Sequence, residues 1–154
     1  MTVRGFDSAH NDAIKVEVNG KLDVPVISPR AFCALKMFAW EERHTQHPGR
    51  DAKDLACLIK NIELLFPVDI LHSQHQNTLE ENGYDIELAA LYQFGKSVNE
   101  LLAPDDNEFL RQFLTTELEQ EEDSRLVREL YCYLPTMHSH RVVNMLHIFY
   151  KALS

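Results

Sequence analysis

Strict alternation of apolar and polar positions opens the readable part of the chain. From Ile14 to Val18, β-branched residues alternate with Lys15 and Glu17, and a second such run extends from Lys21 to Val26. Asn19-Gly20 lies between them and suits the tight turn that twisted strands require, so the pattern predicts a β-hairpin. Pro25 marks an edge strand or the end of the pairing. A lone hairpin is marginal in water, so this one is expected to pack on the helices or on further strands. Residues 1–13 read as irregular or as a short helix.

From Ser28 onward the spacing is helical. Ser28 can cap a helix whose first position is Pro29, where the missing N–H costs nothing. Every residue from Ala31 to Trp40 is apolar except Lys36. The polar turn HTQHPG follows, then a second helix that begins near Asp51 and is expected to run until Pro67 stops it. Asp69 to Asn82 form a polar helical segment ended by Gly83. Tyr84 to Leu102 show a helical apolar period that Gly95 is expected to interrupt. Beyond Pro104 three helices are predicted. The first buries Phe109, Leu110, Phe113, Leu114 and Leu118, and the second Leu126, Val127, Leu130 and Tyr131. The last uses Val142, Met145, Leu146, Phe149 and Leu153. The acidic string Glu119 to Asp123 reads as a solvated helix end. The fold class expected is mainly α, a helical bundle with a small N-terminal β-hairpin. It forms a single domain over 1–154, made of a hairpin region (1–28), a middle helical part (29–103) and C-terminal helices (104–154).

Composition narrows the function classes. A chain of 154 residues, 45% apolar and 25% charged, can bury one sizeable core. Its net charge of −9 argues against a general nucleic-acid-binding role, which needs a cationic surface. No apolar run approaches the ~18 residues of a membrane span, and the N-terminus has no apolar signal core. The three cysteines are an odd number without metal-like spacing. Cys33 and Cys57 sit in apolar helical patterns and are expected to be buried thiols of a reducing, cytoplasmic setting.

Candidate chemistry concentrates between Pro29 and Glu63. An ammonium within an apolar run must snorkel out or meet an anion. Lys36, Trp40 and Arg43 fall on one helical stripe, while Asp51 and Asp54 share a face of the next helix. Two cations from one helix can therefore meet two carboxylates from its neighbour. Arg43 should lie closest to Asp51, and Lys36, ~10 Å further along at 1.5 Å per residue, should favour Asp54 or a residue beyond it over Asp51. Such a cluster either pins two antiparallel helices or walls a nucleotide site.

The string LKMFAWEER, a short gap and then RDAKDL resembles the second-half motif of predicted nucleotidyltransferases of the DNA polymerase beta superfamily, in particular the abortive-infection toxin-like group. The upstream GFDSAHNDAIKVEVNGKLDV and the downstream DIELAALYQFGKSV also resemble segments of that family. The resemblance thins beyond about Leu102. It implies that the chain is the C-terminal portion of a nucleotidyltransferase-like α+β fold and that residue 1 lies past the catalytic first half. It also implies that Lys36, Arg43, Asp51 and Asp54 are the candidate nucleotide-binding residues, with such a Lys meeting phosphate in an intact relative.

Nucleotidyl transfer relies on metal ions held by carboxylates. The family's Gly-Ser or Gly-Gly turn and strand-borne D-x-D/E pair have no counterpart here. The five glycines precede Phe, Lys, Arg, Tyr and Lys, and the D-x-E at Asp85-Ile-Glu87 opens a downstream helix. No catalytic residue and no metal ligand is assigned. Mg²⁺ and a nucleoside triphosphate are expected only if the missing half is supplied, so the chain alone is expected to be inactive and to act within a longer protein or complex. The other class is a non-catalytic helical interaction module, for instance one member of a toxin–antitoxin or defence pair. Either way, a homodimer or a partner chain is expected through the hairpin region 14–27. The pairs His44/His47 and His72/His75 have ligand-like spacing but read as solvated surface histidines.

Overall fold

Ser28 does what its position in the sequence asks of it. Its hydroxyl accepts the N–H of Ala31 at 3.2 Å and starts helix α2 (Pro29–Arg43) with proline in the first turn. The computed structural model describes residues 4–154, so part of the 1–13 stretch, residues 1–3, lies outside the described residues. Within the rest of that stretch, Phe6–Asn11 form the short helix α1. Asp12 then ties this segment to the head of α2 through Ser28 and Arg30.

Strands β1 (Ile14–Val18) and β2 (Leu22–Val26) pair antiparallel, with Ile14 opposite Val26 and Val18 opposite Leu22. Asn19 and Gly20 take φ of 55° and 65°, the left-handed pair that a twisted hairpin turn demands. Packing on the helices, one of the two supports expected for the hairpin, is not found. Every strand residue except the half-buried Val24 is exposed, so the ribbon is not packed onto the helical body.

Helix α3 (Arg50–Lys60) follows Gly49, whose φ of 75° lets the chain reverse. α3 stops at Asn61 rather than running to Pro67, and a one-turn helix α4 (Ile62–Leu65) fills the interval. Pro67 instead opens helix α5 (Val68–Gln74), which breaks at His75 before α6 (Gln76–Glu81). Gly83 ends that segment with a φ of 64°. Helix α7 (Ile86–Leu101), capped by Asp85, runs unbroken through Gly95, against the expected interruption. A Cβ at Gly95 would stand 2.7 Å from the Cβ of Ala152 and 3.1 Å from the Phe149 carbonyl. Glycine is therefore there to let two helices touch, and the packing they gain outweighs its poor helix propensity.

Helix α8 (Pro104–Leu118) leads through an exposed 3-10 turn (Glu121–Asp123) to α9 (Arg125–Tyr133), which is capped by Ser124. The last helix, α10 (Ser139–Ala152), lies against α7 and buries Val142, Met145, Leu146 and Phe149, while the fifth predicted residue, Leu153, is buried at its C-cap. One contiguous core runs from Cys33 to Leu153 and draws on every helix from α2 through α10. Trp40 packs on Phe113 within it and Phe94 on Phe149. The architecture is thus mainly α, a helical bundle with a two-stranded N-terminal hairpin. Three predicted core positions fall outside it. Cys57 and Tyr131 are exposed and Phe109 is half-buried. Among the described residues no helix is long and apolar enough to cross a membrane.

Candidate functional site

The four charges singled out by the sequence meet at one place, between α2 and the first turn of α3. Arg43 grips Asp51 with two parallel hydrogen bonds, Nε at 2.9 Å and Nη2 at 2.8 Å. This fork-to-carboxylate geometry is the strong form of the pair. Lys36 Nζ donates to Asp51 at 3.2 Å and lies 2.6 Å from Asp54. The order along the helices is the expected one, with Arg43 on Asp51 and Lys36 favouring Asp54.

Burial separates the two carboxylates. The Asp51 side chain is 1% exposed and that of Asp54 is 39% exposed. Burial alone would push the Asp51 carboxyl up. Hydrogen bonds and attraction from Arg43 and Lys36 outweigh it, so the group sits below the ordinary carboxylate value and is ionised at neutral pH. Its place in the first turn of α3, at the positive end of the helix dipole, acts in the same direction. Lys36 also stands 5.5 Å from the centre of the Phe32 ring.

Lys36 and Arg43 are thus both engaged by Asp51 and Asp54. Next to Asp54 opens a groove lined by Ile27, Phe32, Cys57, Leu58, Leu64 and Leu65. Among the described residues its walls are apolar apart from Asn61 and Asp54, and Asp54 is the one charged residue on them. Those residues offer no cluster of cationic donors to a phosphate chain.

The turn between the two helices depends on a residue that sequence reasoning missed. One Glu129 carboxylate oxygen accepts the Trp40 indole N–H at 2.7 Å and the Gly49 backbone N–H at 3.0 Å. Its other oxygen accepts Arg125 Nε at 3.0 Å, and Arg125 in turn donates to the His44 carbonyl at 2.9 Å. The His44 ring stacks on Trp40 at 4.2 Å. Glu129 lies eighty positions beyond Gly49, and no local pattern announces such a contact.

The remaining candidates resolve individually. Asp85 and Glu87, the D-x-E pair singled out above, are both held by Arg141 at 2.7–3.0 Å. Hydrogen bonds from Arg141 keep the Asp85 carboxyl below its ordinary value. Among the described residues no three His, Cys, Asp or Glu side chains are placed to hold a metal ion. Burial pushes the Cys33 thiol up to about 12, which leaves it inert. No protein-family model, curated protein or solved structure matches this chain.

Proposed function

We propose that this chain is a non-catalytic, nucleotidyltransferase-like helical module that works within a longer protein or complex. The observation that carries the reading is the closure of the charge cluster. Lys36 and Arg43 are engaged by Asp51 and Asp54, which supports reading the cluster as a staple between two helices rather than as a phosphate-binding pair. Among the described residues, the carboxylates of the motif and of Asp85-Ile-Glu87 are engaged by cations, Asp51 by two and Asp85 and Glu87 by one arginine, which does not favour a pair of metal ions on them. Metal-binding carboxylates, and with them Mg²⁺ and a nucleoside triphosphate, would have to come from another polypeptide segment. The likeness of residues 5–98 to the polymerase beta superfamily supports the family side of this reading.

The open ribbon favours the companion reading, that of an interaction module serving as one member of a defence or toxin–antitoxin pair. An amphipathic hairpin with its aliphatic face in water is built to be covered. Three unpaired thiols fit the reducing environment of the cytoplasm.

Labelled ATP, CTP, GTP and UTP, incubated with Mg²⁺, this chain and total RNA or protein, test the non-catalytic reading. No labelling that depends on the chain is expected. Robust chain-dependent transfer would overturn it.

A further inference from the structure

The hairpin sorts its side chains completely. Ile14, Val16, Val18, Leu22, Val24 and Val26 share one face, and Lys15, Glu17, Asp23 and Pro25 share the other. A two-stranded ribbon is marginal in water, and each outer edge leaves backbone groups unpaired. The two edges are not equivalent. Pairs alternate along an antiparallel ladder between those that exchange N–H···O bonds and those that do not. Pro25 has no N–H, so the Lys15–Pro25 pair is of the second kind. Lys15 and Glu17 then turn their N–H and C=O groups outward, away from β2. The β1 edge is a complete template, while the β2 edge lacks a donor at Pro25.

We propose that β1 is the contact edge of a homodimer, in which two copies of this chain pair antiparallel about a two-fold axis at Val16. The charges on the edge select that register. Outward-facing groups oppose one another when the axis passes through residue 15, 16 or 17. Centring on residue 15 sets Lys15 against Lys15, and centring on residue 17 sets Glu17 against Glu17. Centring on Val16 sets Lys15 of each copy against Glu17 of the other, twice, and engages the whole of Ile14–Val18. On the aliphatic face the same register places Val16 beside Val16 and Ile14 beside Val18, covering part of the exposed apolar surface. The ribbon becomes a four-stranded sheet, within the range that holds together on its own.

This inference rests on the reading of the ribbon as a contact surface and names its occupant. The test is sedimentation of the full chain from micromolar to near-millimolar concentration. Physiological ionic strength screens the mutual repulsion of two copies with net charge −9. The wild-type chain is expected to dimerise. Lys15→Glu and Glu17→Lys each create two like-charge oppositions and should weaken the dimer about tenfold or more. The double variant Lys15→Glu/Glu17→Lys restores both oppositions and should recover it. Far-UV circular dichroism checks that every variant keeps its helices. A wild-type monomer throughout the range, single variants that dimerise normally, or a double variant that stays monomeric would each overturn the pairing. Those outcomes leave the non-catalytic reading intact, whereas chain-dependent nucleotide labelling would sink that reading without touching the dimer.

Discussion

Replacing Asp51 by alanine tests whether the charge cluster is a staple. The substitution removes the acceptor of both Arg43 hydrogen bonds and of one from Lys36. Breaking a buried ion pair from one side costs about 3–5 kcal/mol when the surviving charge stays buried. Here the Arg43 side chain is 36% exposed, and Lys36 keeps Asp54 at 2.6 Å. Both cations retain water or a carboxylate, so the expected loss is smaller, about 2–3 kcal/mol. For a chain of this size that lowers Tm by about 4–12 °C. Asp54→Ala removes only a half-exposed partner and should cost about 0–1 kcal/mol, below about 4 °C. Thermal melts followed by circular dichroism at neutral pH, with and without Mg-ATP, give both numbers. The staple predicts a large gap between the two variants and no response to nucleotide. Equal losses for the two variants, or a wild-type Tm that rises with Mg-ATP and no longer does so in Asp54→Ala, would refute the reasoning.

Two further expectations follow from packing and charge. Gly95→Ala should destabilise by about 1–2 kcal/mol, read as a lower urea midpoint, because overpacking against α10 exceeds the gain in helix propensity; an unchanged or higher midpoint would show that α10 can yield. Asp12, Asp51 and Asp85 all have carboxyls held below the ordinary value of 3.8, by Arg30, by Arg43 and Lys36 against burial, and by Arg141. Depressed folded-state values contribute stability above the unfolded value that is lost as pH falls through the folded one, so the urea midpoint should hold down to about pH 4 and drop below it; a midpoint flat to about pH 2 would contradict these pairings.

The charge cluster was legible because every step that builds it is local. Lys36 and Arg43 are two helical turns apart, the connecting turn is short, and the rise per residue decides which carboxylate each cation meets. The hairpin was legible for the same reason, its turn chemistry lying between two alternating runs. What escaped depends on distant partners or on one step of helical phase. Gly95 reads as a breaker until Ala152 of α10 stands against it. Cys57 follows Ala56 by one position, about 100° around the helix, which takes it off the buried stripe of Ala52, Leu55, Ala56 and Ile59. Tyr131 is displaced in the same way from Leu130. That the helices do not cover the ribbon was not legible, because alternation shows that a face is apolar without showing what lies over it.

Glu129 has a consequence for the order in which the chain acquires its shape. The two helices of the charge cluster are complete in sequence by Lys60, yet the turn joining them is held by a carboxylate on α9. During synthesis Trp40 and Gly49 emerge long before their acceptor exists, and until then their N–H groups must bond to water. The staple of Lys36, Arg43, Asp51 and Asp54 is a local contact, whereas the bonds that fix its turn close a loop of about eighty residues. Contacts of that sequence separation raise the contact order and carry a loop-closure cost that the local pairs avoid. A chain that stops short of Arg125 carries the whole motif in its sequence and lacks the means to lock it.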